Sequence, residues 1–199
     1  MTARAPIRRS VAALAAPVRL PALLPVLLLT GCTESPAIGK QVTLPGDVQV
    51  SEYKDRKAVE FSGRTIDGST FRSSEARGNA LVVNFWYAGC GPCRAEAPDL
   101  VALEKKWAAK GVRFVGVNVR DEAGQAAPFQ TTYKVPYPSV LDASSGAVQL
   151  AFARSGALKP NAIPTTVVLD KQGRIASSVL GQLPARSVLD SLIDAAESS

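Results

Sequence analysis

Leu81-Val82-Val83-Asn84-Phe85-Trp86-Tyr87-Ala88-Gly89-Cys90-Gly91-Pro92-Cys93 carries a short apolar run into two cysteines separated by Gly-Pro. The run has the length of a buried strand, and the residues after Cys93 fit a helix, so the thiols stand where a strand hands over to a helix. There, unpaired backbone N–H groups and the positive end of the helix dipole favour a thiolate on Cys90. Cys93 lies one helical turn later and can close a disulfide. Pro92 begins the helix without forfeiting a needed N–H and fixes φ, which helps hold Cys93 in place. The pair reads as a dithiol–disulfide switch. A purely structural bridge is the competing reading, disfavoured because so short a closed loop removes little chain entropy.

Strand and helix signals alternate outward from this segment. Val59-Glu60-Phe61 and Ser69-Thr70-Phe71 flank an Asp67-Gly68 turn and predict an N-terminal hairpin. Strands are expected at 81–85, 112–119, 139–141, 165–169 and 175–180, and helices at 93–110, 124–133, 147–154 and 185–196. Gly111 stops the first helix, and Pro98 is expected to kink it. Parallel strands joined by helices, then a closing hairpin and helix, give an α/β sandwich.

The N-terminus reads as a targeting signal over residues 1–31. Arg8 and Arg9 supply positive charge, and the apolar stretch 20–29, broken by Pro21 and Pro25, falls well short of the ~20 residues that a membrane-spanning helix takes. Leu29-Thr30-Gly31-Cys32 resembles the bacterial lipobox, which implies cleavage before Cys32 and diacylation of its thiol. Lipidation of Cys32 leaves Cys90 and Cys93 as one pair out of three cysteines. Residues 32–57, polar and interrupted by Pro36, Gly39, Pro45 and Gly46, are expected to be a flexible tether, with the folded domain at 58–199.

The 199 residues suffice for one domain with a real core. The net charge of +6 is concentrated early: Arg4, Arg8, Arg9 and Arg19 precede any acid, and without those four the balance is 19 basic to 17 acidic residues. That balance excludes an electrostatic case for nucleic-acid binding.

Phe85 to Pro98, read as Phe-Trp-Tyr-Ala-Gly-Cys-Gly-Pro-Cys-Arg-Ala-Glu-Ala-Pro, resembles the active-site segment of thioredoxin-fold proteins, specifically the TlpA-like and ResA-like thiol-disulfide oxidoreductases of the bacterial cell envelope. Ala162-Ile163-Pro164-Thr165-Thr166, followed by an apolar strand and Asp170-Lys171-Gln172-Gly173-Arg174, is similar to that family's cis-proline loop. The resemblance covers roughly residues 58–196. It implies a central mixed sheet flanked by helices, with an added helix and strand of the TlpA/ResA type between Arg120 and Asn161.

What the resemblance implies about chemistry follows residue by residue. Cys90 attacks a client disulfide and Cys93 resolves the mixed disulfide. Cys90, ahead of the helix with access to solvent, is the reactive thiol. Trp86, Gly91, Pro92, Ile163 and Pro164 form the client-binding surface, with the Ile163 backbone offered to an extended segment. Asn84 replaces the buried aspartate of thioredoxin, and Glu96 is the acid expected to handle the proton; a solvated helix carboxylate is the alternative for Glu96. Gly89, where tryptophan is frequent, opens one face of the groove. Neither cofactor nor metal is expected: the chain has no histidine, so neither a zinc site nor a copper chaperone is supplied, and Tyr87 stands where a thiol peroxidase of the family needs threonine. The implied clients are disulfides of exported proteins, including the haem-binding cysteine pair of apocytochrome c. The implied electron source is a membrane dithiol donor of the CcdA or DsbD type, and membrane lipid is reached through acylated Cys32. Oxidase or isomerase activity is the alternative within the same chemistry, and a lipid-anchored binding module is the alternative outside it.

Overall fold

The structure, a computed structural model, describes residues 38–54 and 57–199. The strand that precedes the cysteines, β5 (Leu81–Trp86), is buried at every residue. It has neighbours on both sides: β6 (Arg113–Asn118) runs parallel to it and β8 (Thr165–Leu169) antiparallel. With β1 (Ile38–Leu44), β2 (Val48–Tyr53), β7 (Ser139–Leu141) and β9 (Ile175–Leu180), these form a seven-stranded mixed sheet ordered β1-β2-β9-β8-β5-β6-β7. The helices are α1 (Gly91–Ala108), α2 (Ala123–Tyr133), α3 (Ala147–Arg154) and α4 (Arg186–Ser198). This is the α/β arrangement expected from the sequence, and α2, β7 and α3 occupy the expected insertion.

Strand alternation sorts the core into two layers. Leu81, Val83 and Phe85 join Phe71, Val148 and Phe152 on one face; Val82 joins Leu100, Leu103, Trp107, Leu189 and Ile193 on the other, under α1 and α4. Phe152 meets Phe85 edge-on at 5.2 Å and ties α3 to the sheet. Burial of one such ring contributes about 1.5–3 kcal/mol. The same alternation turns Asn84, between Val83 and Phe85, toward α1. Sequence period alone therefore delivers a buried amide to the helix that carries the cysteines.

Three expectations are corrected. Residues expected to be tether instead supply β1 and β2, with β2 paired antiparallel to β9 from Gln49↔Leu180 to Glu52↔Ser177. The physical reason lies in the breakers: Pro45 and Gly46 (φ +81°) make the turn of a hairpin rather than a linker, and Val48, Ser51 and Tyr53 are buried. Tyr53 anchors the strand through its hydroxyl, 2.9 Å from Ser178 Oγ. The small hairpin pairs β3 (Ser62–Arg64) with β4 (Thr70–Arg72), three residues later than 59–61 on one side and one residue later than 69–71 on the other. Val59 instead donates its N–H to the Gly173 carbonyl at 2.9 Å. Finally, α1 starts at Gly91 rather than at Cys93 and runs through Pro98, whose ring nitrogen cannot donate to the Arg94 carbonyl.

Candidate active site

Cys90 is the N-cap of α1, in extended conformation at φ −76° and ψ 111°. Its Sγ accepts the Cys93 backbone N–H at 3.1 Å and is disulfide-bonded to Cys93, with the Cα atoms 5.2 Å apart. An N-cap oxygen takes this donor in ordinary helices; here sulfur takes it, an interaction that favours negative charge on Cys90.

The loop ahead of the cap is clamped from both sides. Ala88 donates its N–H to Asp121 Oδ2 at 2.6 Å, and its carbonyl accepts Arg94 Nε at 2.9 Å and Nη2 at 2.7 Å. Asn118 Nδ2 holds the same Asp121 oxygen at 2.8 Å. The Arg120 guanidinium lies 4.1 Å from the centre of the Tyr87 ring. Sequence reading missed Asp121 and Asn118 because they arrive from the end of β6, far along the chain from the motif. Arg94 sits inside the motif, yet its backbone contact depends on the path of a loop.

Around the disulfide, Trp86, Ala97, Ala126 and Phe129 form a buried cluster, with Tyr87, Ala88 and Ile163 packed at its edge. Both cysteines are only 2% exposed, so in the disulfide form Cys90 has no advantage in solvent access. Its advantage is the helix N-terminus. Of the residues expected to meet a client, Gly91 and Pro92 are exposed and Ile163 is half-buried. Trp86 and Pro164 are buried, and Trp86 stacks on Phe129 at 4.2 Å, so these two shape the site from behind. The Ile163–Pro164 peptide is cis. Among the described residues the Ile163 backbone makes no intrachain hydrogen bond, while the Pro164 carbonyl accepts from Gly181 N at 2.9 Å.

Glu96 is not a solvated carboxylate: it is 2% exposed on the inner face of α1. Its Oε1 accepts Asn84 Nδ2 at 2.9 Å and its Oε2 accepts the Leu183 N–H at 2.9 Å. Burial pushes the carboxyl up to about 7 despite these two donors, and Asp99 adds to the rise. Asn84 Nδ2 also donates to Thr166 Oγ1 at 3.1 Å. A protonated Glu96 needs an acceptor, and turning the Asn84 amide by half a rotation presents Oδ1 instead, with the Thr166 hydroxyl then donating. An amide thus serves both states of Glu96, which a fixed aspartate facing it does not. Asn84, Trp86, Cys93, Tyr137 and Ser139 line one cavity of about 10 Å³, so Cys93 and Asn84 border a single small space. Among the described residues, no group of three or more His, Cys, Asp or Glu side chains is placed to hold a metal ion. Cys32 lies outside the described residues.

The Redoxin family profile matches residues 53–193 of this chain. The chain belongs to the Redoxin family. The match leaves β1 and nearly all of β2 outside it. The thiol-disulfide oxidoreductase ResA of Bacillus subtilis is 27% identical over 145 residues, covering 73% of this chain and 76% of ResA. A thiol:disulfide interchange protein from Chlorobium tepidum has a similar fold, with a TM-score of 0.64 at 31% identity, covering 73% of this chain and 98% of its own. A secreted thiol-disulfide isomerase from Corynebacterium glutamicum gives a TM-score of 0.65 at 29% identity, covering 79% of this chain and 99% of its own. This Redoxin member is a thiol-disulfide oxidoreductase with its redox pair at Cys90 and Cys93.

Proposed function

We propose that this chain is a lipid-anchored, extracytoplasmic reductase of disulfides in exported proteins. The observation that carries the chemistry is the Cys93 N–H directed at Cys90 Sγ at the start of α1. In the reduced state the Cys90 thiolate attacks one sulfur of a client disulfide, forming a mixed disulfide and expelling the other client sulfur as a thiolate. Cys93 gives up its proton toward the Asn84–Glu96 pair and attacks Cys90 Sγ, forming the Cys90–Cys93 bond and releasing the second client thiolate. Two electrons pass to the client, and its two thiolates take up the proton released by Cys93 and a second one from solvent. Gly91, Pro92 and the Ile163 backbone form the surface that an extended client segment meets, with Trp86 and Pro164 behind it. A membrane dithiol donor of the CcdA or DsbD type returns the chain to the reduced state.

The reducing direction is supported by the Gly-Pro dipeptide between the cysteines and by Glu96, whose charge disfavours a second thiolate nearby. A location outside the cytoplasm is supported by the targeting signal and by the relative named as secreted. The apocytochrome c haem-binding cysteine pair is the leading client. Isomerase action is the second reading, favoured by the name of the Corynebacterium relative; it would leave clients re-paired rather than reduced.

Client capture tests the proposal. Cys93→Ser in the native cell should freeze the mixed disulfide at Cys90, and exported proteins with CxxCH pairs should be recovered with it. Recovery of exported clients among which none carries such a pair would remove the cytochrome assignment. For the anchor, Cys32→Ser should abolish labelling by a fatty-acid probe and shift the protein out of the membrane fraction; unchanged labelling would refute lipidation at Cys32.

A further inference from the structure

Beside the disulfide, Ile163 opens onto a groove of about 360 Å³ between the end of β6 and α3, walled by Val119, Leu150 and Leu158. Leu150 is 49% exposed, one of only two large apolar side chains so exposed among the described residues. Two exposed cations, Arg120 and Lys159, stand on its rim, and among the described residues no acidic side chain lines it. Nearby acids are turned elsewhere. Asp121 holds Ala88 and Asn118, Glu122 caps α2, and Asp142 is buried against the first turn of α3. Neither Arg120 nor Lys159 has a carboxylate partner among the described residues: Arg120 lies over the Tyr87 ring, and Lys159 Nζ donates to the neutral Gln49 Oε1 at 2.6 Å. Lys159 and Ile163 also line an adjoining hollow of about 250 Å³ whose only acid among the described residues is Asp47.

We propose that this groove selects clients whose chain, beyond the cysteine engaged by Cys90, carries an apolar side chain followed by carboxylates. The inference rests on the exchange chemistry proposed above and adds its specificity. Ile163 itself lines the groove, so a segment lying along Ile163 adjoins it. There the apolar side chain covers Leu150, Val119 and Leu158, and a carboxylate within about five residues of the cysteine reaches Arg120 or Lys159. Charges at such a rim act mainly on encounter and register, so the selectivity is read in rate and in its dependence on salt.

The test uses the reduced full-length protein and three peptides, each with one intramolecular disulfide, identical except for a flank of Leu-Asp-Asp, Leu-Ser-Ser or Leu-Lys-Lys. At low ionic strength the acidic peptide should be reduced about five- to tenfold faster than the neutral one and the basic peptide slower, a spread that about 0.5 M salt should collapse. Arg120→Gln with Lys159→Gln should bring the acidic-to-neutral ratio close to one, whereas Lys105→Gln, on the exposed end of α1, should leave the ratio as it was. Equal rates for acidic and neutral peptides at low salt, or a ratio that survives the double substitution, would overturn the groove. Failure to reduce the neutral peptide would instead count against the exchange reading. Anisotropy with serine-for-cysteine versions of the peptides, bound to the oxidised protein, reads the same preference without turnover, and equal affinities there would also overturn the groove.

Discussion

Cys90→Ser is expected to lower disulfide exchange by about a thousandfold or more, because it removes the one sulfur that the start of α1 polarises. Cys93→Ser should behave differently. It retains the first attack and loses the second, so each molecule should perform one mixed-disulfide step and stop. Stopped-flow measurement with a disulfide peptide separates the two: no fast phase for Cys90→Ser, and a fast phase without turnover for Cys93→Ser. The reverse assignment, with the fast phase surviving in Cys90→Ser, would make Cys93 the nucleophile. Limited alkylation of the reduced wild type should agree, labelling Cys90 first although both residues are equally buried in the disulfide form.

Glu96→Gln is expected to reshape stability and proton handling together. The Glu96 carboxyl sits at about 7 in the folded chain against an ordinary value of 4.5. Between those two values the folded state keeps a proton that the unfolded chain has released. Wild-type stability should therefore fall as pH rises from about 4.5 to about 7 and level off above that. At 1.36 kcal/mol for each unit, the fall from this one group is about 3 kcal/mol. Glutamine mimics the protonated side chain: its oxygen can accept from Leu183 and its amide can donate to a turned Asn84. The variant should lose that part of the slope and exceed wild type in stability at pH 8, as urea unfolding across the pH range would show. The pH profile of exchange should lose its inflection near neutrality in the same variant. Parallel stability curves for the two proteins would mean that the buried carboxylate is tolerated without cost.

The active segment was legible because its information is local. Strand length, the two-residue cysteine spacing and Pro92 at the helix start fix Cys90 and Cys93 without reference to the rest of the chain. The core strands were legible for the same reason: 81–85 and 165–169 are apolar runs with clear bounds. Glu96 was legible as a residue but not in its burial, since α4 and the loop before it supply the Leu183 N–H from far along the chain. Its neighbour Asn84 looked like a loss relative to an aspartate, and only the observed contact with Glu96 gives it a use. The strands at Ile38–Leu44 and Val48–Tyr53 were hidden because proline and glycine mark both a linker and a tight hairpin. What separates the two cases is the partner strand β9, more than a hundred residues away in sequence.

The reduction potential of the Cys90–Cys93 couple, measured at pH 7 by equilibration with defined glutathione ratios and trapping of the free thiols, tests the reducing chemistry most directly. The Gly-Pro dipeptide and the acid behind Cys93 predict a value nearer the roughly −270 mV of thioredoxin than the strongly oxidising value of about −120 mV. A value in the oxidising range would contradict a reductase and make this chain a donor, rather than a remover, of disulfides.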